Sequence, residues 1–213
     1  VEFARRLCRE GTPRYQATMA WLAKLAAASH QVQLVTLGTS PEGRAIVMAV
    51  VSKEGAATPE ALHANGRPTL LAQGGIHAGE IDGKDAGLML LRDLTVGKKK
   101  SALLDGANLL FVPILNVDGH ERFHRFTRIN QRGPEEAGWR TTATNLNINR
   151  DYMKLDAPET RAIVSAIVAW APELYFALHV TDGGDYQADI TFGFTKGAPY
   201  SPSIEGWLAK TFR

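Results

Sequence analysis

Thr69-Leu70-Leu71-Ala72-Gln73-Gly74-Gly75-Ile76-His77-Ala78-Gly79-Glu80 runs from apolar chain through a glycine pair to a histidine and a carboxylate. Thr69 to Ala72 is short and apolar, the pattern of a strand buried on both faces. The spacing of apolar residues after it predicts a helix from about Ile81 to Leu94. Working outward, Asn108 to Leu115 and Leu174 to Leu178 are further buried runs, and Pro158 opens a helix carrying Ile163, Ile167 and Trp170. Upstream, Gln33 to Leu37 and Ala45 to Val51 read as strands of a hairpin turned at Ser40-Pro41-Glu42-Gly43. Thr12-Pro13 followed by Tyr15, Met19, Leu22 and Leu25 reads as a capped helix with Pro13 in its first turn. Downstream, Asp189 to Phe194 alternates like a strand and Ser203 to Lys210 reads as a last helix. Strands interleaved with helices predict an α/β/α sandwich on a mixed, mostly parallel sheet.

The composition fits one domain over residues 1–213: 45% hydrophobic, 22% charged, with a formal charge of +2. Such a chain buries roughly 70% of its unfolded surface. The near balance of 24 basic and 22 acidic residues excludes a strongly basic nucleic-acid binder, and Lys98 to Lys100 read as a solvated loop. The single cysteine, Cys8, excludes an internal disulfide and a zinc site built on thiolates. No stretch approaches the ~20 apolar residues of a membrane span. The chain opens on Val1 without the charged and apolar regions of a signal peptide, so the expectation is that its original start has been removed.

The chemistry gathers at strand ends. His77 follows one buried run and His179 follows another, and in open α/β sheets the carboxyl ends of strands face the ligand crevice. If the two strands are neighbours, their imidazoles converge, and a turn can bring Glu80 to the same point. Two His and one Glu are the open ligand set of a catalytic zinc site. The alternative is two unrelated histidines, each capping or hydrogen-bonded on its own. A rival pattern, His120-Glu121-Arg122-Phe123-His124, matches H-E-x-x-H by letter. It needs a helix of several turns and a third ligand downstream. A turn at Asn116-Val117-Asp118-Gly119 precedes it, and Asn130 stands where that ligand would be, so the match reads as coincidence. Gly79 to Lys84 falls one residue short of a phosphate loop, with Asp85 in place of its Ser or Thr.

Asn145 to Tyr152 places Asn149 beside Arg150 in irregular chain. A planar guanidinium suits bidentate capture of a carboxylate, and an amide adds a hydrogen bond. Arg140, after Trp139, is a second cation suited to stabilising an oxyanion. Taken singly, each of these arginines could equally be a solvated surface group.

Gly75-Ile76-His77-Ala78-Gly79-Glu80, Asn116-Val117-Asp118-Gly119, Asn149-Arg150-Asp151-Tyr152 and Leu178-His179 together resemble the carboxypeptidase A-like zinc carboxypeptidases, with all four blocks in that family's order. The resemblance implies one zinc ion on His77, Glu80 and His179. It implies Asn149 and Arg150 as the clamp on a substrate's terminal carboxylate, and Arg140 as the oxyanion-polarising arginine, with Arg128 and Arg132 as alternatives. It further implies a hydrolase that removes C-terminal residues from peptides with a free carboxylate, with neither nucleic acid nor membrane as partner. Three departures stand out. Gly79 occupies the place of a family arginine that contacts substrate, and Asn147 that of an Asp supporting the first histidine. The family's general-base Glu lies well after the third ligand, where this chain has 34 residues and Glu205 alone. The expectation is therefore a domain lacking the family's C-terminal segment, with reduced turnover. The runner-up readings are a zinc deacylase of N-acyl amino acids and a metal- or peptide-binding domain without catalysis.

Overall fold

The computed structural model describes residues 11–129, 134–181, 183–184, 186–193 and 201–211. Val1, Cys8, Asn130, Arg132 and Phe194, used in the sequence reading, lie outside them. The chain divides into two units, Val1–Asp182 and Gly183–Arg213.

In the first unit, α1 (Tyr15–Ala28) leads into the hairpin of β1 (Val32–Thr39) and β2 (Ala45–Val51). The short α2 (Pro59–Ala64), β3 (Thr69–Gln73), α3 (Asp82–Leu94), β4 (Asn108–Val112), α4 (Val117–Glu121), α5 (Pro158–Trp170) and β5 (Leu174–Ala177) follow. The sheet order is β1-β2-β4-β3-β5. The β1–β2 and β2–β4 pairs are antiparallel, and β4–β3 and β3–β5 are parallel. The sheet is mixed and mostly parallel as expected: β1, β4, β3 and β5 run the same way and β2 alone is reversed.

Alternation along the central strands builds two cores. Ile46, Met48, Val50, Leu71, Leu110 and Val112 face one layer, where Ile163, Ala166 and Trp170 of α5 pack. Ala49, Val51 and Phe111 face the other, against Leu22 and Leu25 of α1 and Leu88, Leu91 and Leu94 of α3. Both faces of β2 and β4 are thus covered by helices, which explains their continuous apolar sequences.

Three sequence expectations are corrected. Helix α1 begins at Tyr15, after Pro13, and the expected local cap is replaced by a distant one: the Tyr15 N–H donates to Glu121 Oε1 at 2.9 Å. Thr12 and Pro13 are held outside the helix by Asp85 and Lys84, whose Nζ donates to the Pro13 carbonyl at 3.0 Å. The β4 run ends at Val112, three residues early, because Pro113 cannot donate to a ladder. Residues 189–193 form no strand: Ile190 and Phe192 are exposed, and alternation yields a strand only beside an edge that accepts its hydrogen bonds. In the second unit, α6 (Pro202–Thr211) covers the expected last helix. No helix among the described residues is long and apolar enough to cross a membrane.

Candidate functional site

Strand β3 stops at Gln73 because the chain must turn. Gly75 adopts φ +61°, and a Cβ there would lie 3.2 Å from Ile114 Cα. The turn is laced to the segment after β4, with Leu115 N–H donating to the Gly74 carbonyl and Asn116 N–H to the Gly75 carbonyl. A second turn follows, closed by the Glu80 N–H on the His77 carbonyl at 2.9 Å, and it folds Glu80 back towards His77. Strand β5 runs beside β3 in register, Gln73 opposite Ala177, and Leu178 N–H donates to the Gln73 carbonyl at 2.8 Å. His179 therefore leaves the sheet next to His77, with ring centroids 5.0 Å apart.

Glu80 stands between them. His77 Nδ1 lies 2.9 Å from Glu80 Oε1, and His179 Nδ1 lies 2.8 Å from Oε2. The Val180 N–H donates to Oε2 at 3.2 Å, Arg128 Nη2 donates to Oε1 at 3.2 Å, and Arg140 Nη1 stands 3.9 Å from Oε1. Burial by itself raises the Glu80 pKa, but hydrogen bonds from His179, His77 and the Val180 amide outweigh it and hold the carboxyl at about 2. The carboxylate is ionised at neutral pH. His77 and Glu80 are buried, whereas the His179 side chain keeps 34% exposure, so the cluster opens on that side.

One ligand atom from each of the three lies within 4.8 Å of the others, the one such cluster among the described residues. Two imidazole nitrogens and a carboxylate suit zinc, and three protein ligands leave a position for water or substrate. The donor set fits the metal that the resemblance implies.

The H-E-x-x-H letters take no part in this cluster. Helix α4 ends at Glu121, so His124 lies beyond it, bridged to Ala137, with its Nδ1 accepting from the Phe126 N–H at 3.2 Å. His120 is buried with Nδ1 3.0 Å from Glu121 Oε1. Lys84, at the end of the phosphate-loop look-alike, is also buried and paired with Asp85 at 2.9 Å.

The Asn116–Gly119 block has a mechanical role that its sequence did not reveal. Asn116 Oδ1 accepts from the Gly119 N–H, its Nδ2 donates to the Arg140 carbonyl, and the Trp139 N–H donates to the Gly119 carbonyl at 2.7 Å. The block thus seats the Trp139-Arg140 segment behind the cluster. Asp118, fully buried, accepts from Ser40 Oγ, the Glu42 N–H and Arg44, fastening the block to the hairpin turn.

Asn149 and Arg150 sit in a 3-10 turn (Ile148–Arg150). Arg150 is exposed, and its Nη1 donates to the Asn149 carbonyl at 2.8 Å. Among the described residues neither is hydrogen-bonded to the trio. The turn is nevertheless tied to the same strand end. Tyr152 and Tyr175 hydroxyls are 2.9 Å apart, and Tyr175 donates to Oε1 of Gln73, the last residue of β3, at 2.7 Å. The link between Gln73, Tyr152 and Tyr175 is not legible in the sequence, because half-buried tyrosines and a strand glutamine carry no spacing signal.

Residues 18–184 match the zinc carboxypeptidase family. Probable carboxypeptidase 2 of Arthroderma benhamiae is 32% identical over 130 residues, 61% of this chain and 21% of that protein. Carboxypeptidase 2 of Trichophyton rubrum is 29% identical over 150 residues, 66% of this chain and 25% of that protein. The chain thus spans about a fifth to a quarter of the length of these curated relatives. Among solved structures, carboxypeptidase A from Helicoverpa armigera superposes with a TM-score of 0.66 at 20% identity, over 93% of this chain and 51% of that one. A metallo-carboxypeptidase from Burkholderia cenocepacia gives 0.62 at 22% identity, over 81% and 42%. These structural likenesses bear on the fold.

Proposed function

This chain belongs to the zinc carboxypeptidase family, and from that premise we propose that it acts as a zinc-dependent hydrolase removing C-terminal residues from peptides. The observation that carries the reading is the convergence of His77, Glu80 and His179 at the ends of two adjacent parallel strands. These three residues would hold one zinc ion, and that ion would supply the Lewis acidity that polarises the scissile carbonyl and acidifies a water. Arg140 directs its guanidinium to the same place from the segment seated on Asn116 and stabilises the oxyanion that forms. Asn149 and Arg150 hold the terminal carboxylate, with the Tyr152–Tyr175–Gln73 hydroxyl and amide chain keeping their turn aligned with the end of β3.

The step also needs a carboxylate that takes a proton from water and returns it to the leaving amine. Glu121 is unsuited to that work. Burial raises its pKa, but His120, the Tyr15 amide and Arg14 together hold it at about 2, far from a base poised near neutrality.

The test is incubation of the zinc-loaded protein with a peptide of defined sequence, followed by mass analysis of the products. Stepwise loss of the C-terminal residue is expected. Cleavage of an N-acyl amino acid in preference to the peptide would assign the site to a deacylase, and zinc binding without turnover of either, by this chain and by the full-length protein alike, would make it a binding domain.

A further inference from the structure

Gly79 lies between the two turn residues that matter most, and the space beside it is filled from elsewhere in the chain. A Cβ at position 79 would lie 2.8 Å from Arg128 Cγ, 3.1 Å from Arg128 Cδ and 2.7 Å from the Gly138 carbonyl. The aliphatic stem of Arg128 therefore runs directly across the Gly79 backbone. Its head does not continue to solvent: the side chain is 7% exposed, and Nη2 donates to Glu80 Oε1 at 3.2 Å.

The donors on the Glu80 carboxylate divide evenly. Oε1 meets His77 and Arg128, and Oε2 meets His179 and the Val180 N–H. The two imidazole nitrogens are the groups a metal would engage. Among the described residues Arg128 and Val180 are then the hydrogen-bond donors left to the carboxylate, one on each oxygen, with the Arg140 guanidinium farther off at 3.9 Å from Oε1. A bidentate-capable guanidinium on one side and a backbone amide on the other fix both the position and the plane of the group. Partners of this kind orient metal ligands in other proteins, and their removal typically costs 10–100-fold in metal affinity.

We propose that Arg128 is the positioning residue for the metal-binding carboxylate Glu80, and that it reaches that place because position 79 has no side chain. The proposal rests on the assignment of His77, Glu80 and His179 to a metal. Gly79 and Arg128, 49 positions apart, act as one device: the glycine opens a channel over the turn, and the arginine stem occupies it. Arg128 touches the ligand and not the reacting atoms, so its contribution is to metal retention and to the aim of the site.

The experiment is a zinc-affinity measurement by chelator competition on the whole chain, for the wild type, Arg128→Met, Arg128→Lys, Gly79→Ala and the Gly79→Ala/Arg128→Met double variant. Arg128→Met keeps the stem and removes the donor, and it should bind zinc 10–100-fold more weakly. Arg128→Lys should recover at least half of that loss on a logarithmic scale. Gly79→Ala should also weaken binding, because its methyl meets the Gly138 carbonyl and displaces the Arg128 stem, and the double variant should be no weaker than Gly79→Ala alone. At saturating zinc, kcat of Arg128→Met should fall while KM holds. Wild-type affinity in Arg128→Met, or losses that simply multiply in the double variant, would overturn the proposal. So would unchanged zinc affinity with a raised KM, which would make Arg128 a substrate contact. Failure of the wild-type chain to bind zinc would instead refute the reading of the metal site itself.

Discussion

His179 Nδ1 lies 2.8 Å from Glu80 Oε2, although 99 positions of chain separate the two residues. The contact exists because β5 pairs with β3 in parallel, with Gln73 opposite Ala177, so both chains leave the sheet at the same level. One residue of slip in that pairing would turn His179 to the opposite face. The site therefore depends on sheet register as much as on the residues that form it.

If Arg150 clamps a terminal carboxylate, a peptide with an amidated C-terminus should be a poorer substrate. Removing one partner of a desolvated charge pair costs about 2–4 kcal/mol in kcat/KM. Arg150→Ala should erase most of the preference for the free acid. Equal cleavage of both peptides by the wild type would place the substrate anchor elsewhere.

Glu121 ties the start of α1 to α4, and its pKa is held at about 2 against an ordinary 4.5. A carboxyl depressed on folding contributes stability that is present above about pH 4.5 and is lost as pH falls through the folded value. Glu121→Gln should be less stable than wild type by about 1–2 kcal/mol at pH 7, allowing for the solvent that reaches the pair. The gap should close towards pH 2. Urea unfolding at several pH values measures it, and a gap that persists at pH 2 would show that geometry and not charge is responsible.

Much of the fold was legible in the sequence, and the parts that were not depend on contacts, made or missing, with distant chain. Strands β2 and β3 and helices α3 and α5 announce themselves because both faces of the sheet are covered there, leaving long apolar runs and clear stripes, whereas β5, last in the sheet order, has an apolar run that the structure leaves half-buried to exposed and not buried as expected. The start of α1 was misread because its cap comes from Glu121, 106 positions away, and no local signal records a distant donor or acceptor. Residues 189–193 were misread for the converse reason: their alternation is local, and a strand needs a partner. In the site, His77, Glu80 and His179 could be found from their places at strand and turn ends. The role of Arg128 could not, since it depends on the empty space at Gly79 and on a contact across 48 positions. The hydroxyl chain from Tyr152 to Gln73 was hidden in the same way.

Glu159, in the first turn of α5, is fully buried, and neither carboxylate oxygen has a hydrogen-bond partner among the described residues. Burial, more than its acidic neighbours Asp118 and Asp151, pushes its pKa up. The sign is opposite to that of Glu121. A carboxyl raised on folding is tolerated while protonated, so stability falls as pH rises from about 4.5 through the folded value. Glu159→Gln should therefore be more stable than wild type at pH 8, by about 1 kcal/mol, and the difference should vanish near pH 4. Thermal unfolding across that range reads the effect, and a Gln variant that is less stable at pH 8 would mean that the ionised group has a partner.

The most direct test of the central claim is zinc titration of the whole chain, with bound metal counted per molecule. The wild type is expected to bind one zinc ion, and His77→Ala and His179→Ala should each bind it at least tenfold more weakly. The His120→Ala/His124→Ala double variant should keep wild-type affinity, since neither side chain reaches the cluster. Loss of zinc in that double variant alone, with His77→Ala and His179→Ala unaffected, would contradict the account.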